Sequence, residues 1–242
     1  MTIPENLDEQ IIACIQDCKA MDAPLGRRLS TMAGEVRRLI PEFASAIDHL
    51  VDRLHKSAAG GGAPAVGEAM PSFVLPDENG HLVSLSSFTK RGKTVIAFHR
   101  GHWCPYCELE ADALARIDPE IRKAGAQLVV ITPETQKYAK QFKKMTNARF
   151  PILTDLDCGY ALELRLAIKI TDEARLAMIS CGWDISGFND NENWILPIPA
   201  TFVLDADGIV ISRFVDPDYR KRMEIEDLLV ALEDRVSVSP AA

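Results

Sequence analysis

The sequence has few of the features that assign a chain to a specialised class. Its 242 residues contain no apolar run near the roughly 18 residues that a membrane-spanning helix needs. It has no excess of basic residues, because 27 Lys and Arg stand against 35 Asp and Glu and leave a net charge of −8. Nucleic-acid binding needs accumulated positive charge. We therefore expect neither a membrane nor a nucleic acid as a partner.

The start of the chain lacks a secretory pattern, since residues 1–10 are acidic and no basic segment precedes an apolar stretch. We therefore expect a cytoplasmic protein in a reducing compartment, where structural disulfides are rare. An apolar content of 47% is ordinary for a globular chain, and a chain of this length can fold without disulfides. The six cysteines therefore need another explanation than a disulfide framework.

The first part of the chain is helical by its pattern. Residues 1–57 carry apolar side chains at helical spacing, and a turn around Pro24 predicts an αα-hairpin. The apolar stripe of this extension must pack against the rest of the chain or against a second copy, which would form a homodimer. Residues 58–65 contain three consecutive glycines and have the composition of a flexible linker, which makes them the best domain boundary.

The remaining chain predicts one α/β domain over residues 66–236, with helices on both faces of a mixed sheet. Short apolar runs such as Thr94–Phe98 are typical of buried strands, and helical patterns follow them. An insertion lies at about residues 157–193, and residues 237–242 form a tail.

The motif with the clearest chemistry is the pair Cys104 and Cys107, the only cysteines with the two-residue spacing of redox or metal sites. A helix is predicted to begin at Cys104, where free backbone N–H groups and the helix dipole stabilise a thiolate. Pro105 suits the first turn, since its missing N–H has no partner there. Cys107 lies nearly one turn further, so its sulfur can reach Cys104 and close a reversible disulfide. We expect this pair at an exposed loop position.

A zinc site is the alternative for such a pair. Zinc needs four ligands, and His102 with the two cysteines would supply three. The sequence shows no second Cys/His cluster that would add the fourth. We therefore expect a redox pair, with no metal and no organic cofactor.

Neighbouring side chains offer auxiliary roles, each with an ordinary alternative. Trp103 should line the site, and Tyr106 either tunes access or lies on the surface. Arg100 either favours the Cys104 thiolate by its charge or is an ordinary surface arginine. His99 and His102 either shuttle protons or are incidental loop residues.

The other four cysteines are expected to play structural roles. Cys14 and Cys18 lie on the apolar stripe of a helix, where cysteine behaves as a small hydrophobe. Cys158 and Cys181 lie in the insertion, and either one is also a candidate for an alternative resolving thiol.

Several segments together carry a family resemblance. Trp-Cys-Pro-Tyr-Cys at 103–107, after an apolar strand, resembles the thioredoxin superfamily. Residues 73–80, 150–155 and 197–205 resemble the opening hairpin, a middle strand and the late strand of peroxiredoxins, the alkyl hydroperoxide reductase and thiol-specific antioxidant group. The region from about 64 to 236 is similar to bacterial peroxiredoxin-like proteins with this motif. The resemblance implies a thioredoxin-like fold with an N-terminal helical extension.

Two positions depart from the peroxiredoxin pattern. Peroxiredoxins carry a threonine three residues before the reactive cysteine, where this sequence has Gly101. They also carry an arginine before the late strand, where this sequence has Pro199. In thioredoxins that place holds a cis-proline beside the disulfide, and the resemblance implies the same for Pro199, with Thr201 lining the pocket. Arg100 or His102 would then replace the missing groups.

The resemblance and the cysteine pair together support three hypotheses. The first is a thiol peroxidase that reduces hydrogen peroxide or organic hydroperoxides through Cys104, with Cys107 as the resolving thiol and a thioredoxin- or glutathione-type reductant. The second is a thiol–disulfide oxidoreductase acting on protein or small-molecule disulfides. The third is a scaffold without catalysis, against which the intact cysteine pair argues.

Overall fold

The computed structural model describes residues 3–233, so the predicted tail lies outside the described residues. The helices are α1 (Leu7–Ala20), α2 (Leu25–Leu39), α3 (Pro41–Lys56), α4 (Leu85–Thr89), α5 (Pro105–Lys123), α6 (Gln136–Met145), α7 (Gly159–Glu163), α8 (Asp172–Ser180), α9 (Ile185–Asn189) and α10 (Ile225–Glu233). The strands are β1 (Val74–Pro76), β2 (Leu82–Ser84), β3 (Thr94–Phe98), β4 (Gln127–Thr132), β5 (Ile152–Thr154), β6 (Ala167–Lys169), β7 (Ile195–Pro197), β8 (Ala200–Leu204) and β9 (Val210–Val215).

A five-stranded mixed sheet in the order β5-β4-β3-β8-β9 organises the structure. Strands β3, β4 and β5 run parallel, whereas β8 pairs antiparallel with both β3 and β9. All five residues of β3 are buried, as its continuous apolar sequence predicted. The predicted mixed sheet flanked by helices is therefore confirmed, and its central strand leads directly to the cysteine pair.

The N-terminal extension consists of three helices rather than the predicted hairpin. Pro41 begins α3, and the residue before it, Ile40, has a non-helical backbone with φ −137° and ψ 67°. A proline disfavours the helical conformation of the residue before it, so α2 ends at Leu39 although the apolar pattern continues. The helical spacing of apolar residues can therefore continue across a position where one helix ends and the next begins.

The extension packs against the rest of the same chain. Leu29 of α2 and Ile47 of α3 share one buried cluster with Leu109 of α5. An ion pair of 2.7 Å between Lys19 and Glu108 also joins α1 to α5. The apolar stripe is thus satisfied within one chain, which removes the reason for a homodimer through these helices.

The glycine-rich segment is packed and does not form the predicted flexible linker. Gly60 is buried with φ +80°, and an added Cβ would lie 2.9 Å from Val215 and 3.2 Å from Ile198. Arg213 donates a hydrogen bond of 2.8 Å to the carbonyl of Pro64. Glycine is used here for a close approach and a left-handed conformation rather than for mobility.

The insertion forms a small layer of its own. It contains α7, β6, α8 and α9, and β6 pairs antiparallel with β7. Trp183, between α8 and α9, packs edge to face on Phe43 of α3 with ring centroids 4.9 Å apart. The insertion therefore contacts the N-terminal extension. No helix within residues 3–233 is both long and apolar enough to cross a membrane.

Candidate active site

The cysteine pair lies where the central strand passes into a helix. After β3, the His99 backbone N–H donates a hydrogen bond of 2.8 Å to the Ile131 carbonyl. Cys104 then occupies the position before α5 with an extended backbone, φ −90° and ψ 113°, and Pro105 is the first helical residue. The carbonyl of Cys104 accepts the first helical hydrogen bond from Glu108 at 3.0 Å. The sheet thus places the loop, and the helix start places the first sulfur.

Both sulfurs are buried, which corrects the expectation of an exposed pair. Cys104 is 1% exposed and Cys107 is 0% exposed. The prediction considered only the loop and helix around the motif. In the folded chain, Arg222 from a distant segment contacts Cys107, and Tyr219 from the same segment packs on Tyr106 and Arg100.

Charge and hydrogen bonding favour a thiolate at Cys104. Burial raises the pKa of this thiol, but a hydrogen bond from the Cys107 thiol, the charges of Arg100 and Arg222, and the Cys107 backbone N–H lower its pKa to about 6. These interactions outweigh burial because each of them stabilises the anion. Cys104 is therefore ionised at neutral pH.

Cys107 holds the proton of the pair. Burial, its hydrogen bond to Cys104 and the negative charge of that sulfur raise the pKa of Cys107 well above its ordinary value. Its sulfur also accepts hydrogen bonds from the Arg100 backbone N–H at 3.3 Å and from Arg222 Nη2 at 3.4 Å. The arrangement gives one thiolate and one neutral thiol, as a nucleophile and a resolving thiol require.

Arg222 is the site residue that sequence reasoning missed. It lies between β9 and α10, is 5% exposed, and its Nη1 donates to the Lys221 carbonyl at 2.7 Å. Its Nε donates to Glu110, which is 3% exposed and lies 3.0 Å from His99 Nε2. No local motif marks an arginine 115 residues after Cys107 in the sequence.

Glu110 is the centre of this buried cluster. No local motif distinguishes Glu110 from an ordinary acidic residue of α5. It nevertheless contacts Arg222, His99 and the Thr201 hydroxyl, which donates to it at 3.4 Å. Burial raises the pKa of Glu110, but the charge and hydrogen bond of Arg222, together with the nearby His99, lower it below its ordinary value. Its carboxylate balances the charge that Arg222 brings to Cys107.

Arg100 lies between two aromatic rings and is not a surface residue. It is 2% exposed, with its guanidinium carbon 3.9 Å from the Tyr219 ring centroid and 4.9 Å from that of Trp103. Cation–π contacts of this kind are strongest when they are removed from water. Arg100 Nη2 and Trp103 Nε1 are both buried and have no hydrogen-bond partner among the described residues.

The space of the missing threonine is filled by other groups. Gly101 has φ +144°, and an added Cβ would lie 2.5 Å from Trp103 Nε1 and 2.6 Å from the carboxyl carbon of Glu134. Any side chain at this position would therefore clash. Glycine is needed at position 101 because the Glu134 side chain lies directly beside the loop.

His102 contacts Glu134, and these contacts do not support the auxiliary role at the cysteines that the sequence suggested. Glu134 accepts hydrogen bonds from the His102 backbone N–H at 2.8 Å and is 2.5 Å from its Nδ1. The imidazole stacks on Tyr138 at 4.9 Å, and Phe188 packs edge-on at 4.9 Å. These contacts make His102 a loop anchor in this structure.

The remaining predicted site residues have mixed outcomes. Tyr106 is 3% exposed and packs edge to face on Tyr219 at 5.4 Å, so the surface alternative is wrong. Pro199 is buried, but none of the peptide bonds within residues 3–233 is cis, so the expected cis-proline is wrong. The adjoining Ala200 begins β8, and the Ile198 N–H donates to Leu166 at 2.8 Å, which holds the chain extended here.

The other cysteines lie apart from the pair. Cys158 belongs to the core cluster on the other side of the sheet, and burial raises its pKa above the ordinary value. Burial raises the pKa of Cys181 to about 11 and that of Cys14 to about 12. Cys18 is fully buried in the N-terminal extension. These thiols are poor nucleophiles at neutral pH and fill core space.

The rate at which peroxide oxidises Cys104 should rise about tenfold between pH 5 and pH 7 and then level off. The reason is that the thiolate is the nucleophile and the pKa of Cys104 is about 6. Stopped-flow fluorescence with free cysteine as the reference measures this profile. A rate that keeps rising to pH 9, as for an ordinary thiol, would contradict the assigned thiolate.

Comparisons with known proteins found a matching family and several relatives. Residues 66–213 match the model of the AhpC/TSA family. The chain is 24% identical over 160 residues to thiol-disulfide oxidoreductase ResA of Bacillus cereus, covering 66% of this chain and 75% of that protein. It is 34% identical over 94 residues to chloroplastic peroxiredoxin Q of Oryza sativa, covering 39% and 43%.

A solved structure also shares the fold. The crystal structure of peroxidoxin BcpB from Mycobacterium tuberculosis superposes with a TM-score of 0.55 and 20% identity, covering 70% of this chain and 96% of that chain. The thioredoxin-like fold expected from the sequence is thereby confirmed.

Proposed function

Because this chain belongs to the AhpC/TSA family, we propose that it is an oxidoreductase that reduces hydrogen peroxide or organic hydroperoxides through Cys104 and Cys107. The observation that carries the proposal is the buried Cys104 thiolate. Cys104 is 1% exposed, and the pKa of its thiol is lowered to about 6. The thiolate is the form of cysteine that attacks a peroxide, and this site stabilises it at neutral pH.

The proposed reaction has two chemical steps within the protein. The Cys104 thiolate attacks one peroxide oxygen, an S–O bond forms, the O–O bond breaks, and the leaving oxygen takes a proton to become water or an alcohol. Cys104 is then a sulfenic acid. The Cys107 thiol attacks its sulfur, an S–S bond forms, and water leaves.

Two buried donors support peroxide as the substrate. Arg100 Nη2 and Trp103 Nε1 lack partners in the described part of the chain, and both residues lie close to Cys104 in the sequence. Buried donors without partners are rare, and peroxide oxygens are acceptors that would satisfy them. We infer that a peroxide at Cys104 meets these donors, and donors to a developing oxyanion favour departure of the leaving oxygen.

The disulfide must be reduced from outside the protein. We infer a thioredoxin- or glutathione-type thiol, which gives two electrons and two protons and returns both cysteines to the reduced state. We place the cycle in the cytoplasm, where such reductants keep thiols reduced.

A thiol–disulfide oxidoreductase is the second candidate. The Cys-x-x-Cys pair at a helix start and the likeness to ResA favour it. The two buried donors without partners argue against it, because sulfur is a weaker hydrogen-bond acceptor than a peroxide oxygen.

A direct rate comparison tests the proposal. Reduced protein is mixed with hydrogen peroxide, cumene hydroperoxide or oxidised glutathione, and Cys104 oxidation is followed by stopped-flow fluorescence. Thiolate formation alone accelerates oxidation only a few-fold over free cysteine, because nucleophilicity falls with pKa. We expect peroxide to react at least about 100-fold faster than with free cysteine, which requires donors on the leaving oxygen.

Two results would contradict this assignment. If peroxide oxidises Cys104 no faster than it oxidises free cysteine, the assignment as a peroxidase is wrong. Faster oxidation by the disulfide than by either peroxide would establish the second candidate instead.

A further inference from the structure

The segment that brings Arg222 to the cysteines has little regular structure of its own. Residues 216–224 connect the end of β9 to the start of α10, and no part of them is helix or strand. They nevertheless supply Tyr219, which contacts Arg100, and Arg222, which contacts Cys107. An irregular segment can hold two side chains in place only if other elements anchor it. We call residues 216–224 the arginine segment.

The middle of the arginine segment is anchored to the N-terminal extension. Arg220 Nη1 donates a hydrogen bond of 2.8 Å to Asp48 Oδ1 on α3. The same guanidinium donates to both carboxylate oxygens of Asp218, at 2.7 Å and 3.1 Å. This planar, multidentate contact fixes an orientation as well as a distance. Asp48 therefore holds the turn that lies between Tyr219 and Arg222.

Both ends of the arginine segment also meet the extension. At the far end, the Gly26 N–H in the first turn of α2 donates to Glu224 Oε1 at 2.9 Å. A Cβ at Gly26 would lie 2.4 Å from that oxygen, so the two elements are in close contact. At the near end, His55 Nε2 of α3 lies 3.8 Å from Asp216 Oδ1.

We propose that the N-terminal extension completes the active site, with Asp48 as a positioning residue that holds Arg222 and Tyr219 against the cysteine pair through Arg220. The effect of this anchor on catalysis rests on the proposed function, whereas its effect on the position of Arg222 and Tyr219 does not. It assigns a role within one chain to helices whose purpose the sequence left open.

The test compares the full-length wild type with Asp48→Ala. Loss of the anchor lets the arginine segment move, and the positive charge near Cys104 weakens. Because opposite charges within a few ångströms shift a pKa by about 1–3 units, we expect the Cys104 titration midpoint to rise by about one unit. The measurement is the ultraviolet absorbance of the thiolate against pH, with Cys104→Ser as the background.

A matched control uses the other oxygen of the same carboxylate. Arg37, which is largely exposed, donates to Asp48 Oδ2 at 2.7 Å and does not touch the arginine segment. Arg37→Ala should leave the midpoint unchanged. Asp48→Asn keeps an oxygen that can accept from Arg220 and should recover most of the wild-type midpoint.

Two further results decide the matter. Arg220→Ala should raise the midpoint at least as much as Asp48→Ala, because it also removes the contact with Asp218. The double variant should add nothing to Arg220→Ala, since Asp48 acts on the arginine segment through Arg220. A folded Asp48→Ala protein with the wild-type midpoint would overturn the inference. The titration uses no oxidant, so it tests the anchor even if the wild type proves unreactive toward peroxide.

Discussion

Replacing Cys104 with serine should reduce peroxide consumption to the rate of buffer with reductant alone. A serine hydroxyl is not ionised at neutral pH, so the substitution removes the nucleophile that the site holds at a pKa of about 6. Peroxide loss in the presence of a thioredoxin- or glutathione-type reductant measures the effect. Activity above that background would mean that another group does the chemistry.

The companion variants separate the roles of the thiols. In Cys107→Ser, the first step should persist and the sulfenic acid should accumulate, since no neighbouring thiol resolves it. A sulfenic-acid probe and mass spectrometry detect that state. Cys158→Ser and Cys181→Ser act as controls, because both residues are buried and burial raises the pKa of each thiol. Disulfide formation that depends on either control residue would contradict resolution by Cys107.

Glu110→Gln should lower the free energy of unfolding by about 3–5 kcal/mol. The change leaves the buried Arg222 without the carboxylate that balances it. Both side chains are almost entirely removed from water, at 1% exposure for Arg222 and 3% for Glu110. Urea unfolding of reduced protein, with the slope of the transition compared between variants, measures the loss. The sequence alone would have predicted a minor effect on helix charge.

The pH dependence of this contribution follows from the direction of the pKa shift. Since the folded-state pKa of Glu110 is lowered, its stabilisation is present at neutral pH and is lost as the pH falls through the folded value. The control is Glu120→Gln, an exposed residue of the same helix, which should change stability by less than about 0.5 kcal/mol. A loss below about 1 kcal/mol for Glu110→Gln would show that Arg222 finds another partner.

The site differs from the peroxiredoxin pattern in where its groups originate. The resemblance implied a missing threonine and a missing arginine. The structure fills the first place with Glu134 and Trp103 around Gly101, and it brings a cation to Cys107 from Arg222, far along the chain. A second cation, Arg100, comes from the loop itself. The chain thus surrounds the Cys104 thiolate with cationic side chains without using the threonine and arginine that the resemblance led us to expect.

The N-terminal helices show a similar difference between pattern and structure. Their spacing predicted helix and an apolar stripe, and both are present. The break at Ile40 was visible in the sequence as the residue before Pro41, but the apolar period obscured it. The spacing did not show that the apolar stripe packs on α5. It also did not show that Asp48 meets Arg220, because these residues are 172 positions apart in the sequence.

The sequence by itself determined the features that depend on near neighbours in the chain. The apolar run Thr94–Phe98 specified a buried strand, and Pro105 after Cys104 specified a helix start with the first cysteine at its end. These properties arise from backbone sterics and from the spacing of apolar side chains over one or two turns, so they can be derived from the local sequence.

Only the tertiary structure decided how the pair is buried and which charges surround it. Arg222, Glu110 and Tyr219 meet at the cysteines because the sheet, α5 and the arginine segment pack together, and no local pattern encodes that meeting. Desolvation and Coulomb energy depend on distance in space and on exclusion of water rather than on spacing in the chain. The choice of Cys104 as the proposed nucleophile therefore rests on the local sequence, whereas its ionisation is a property of the whole fold.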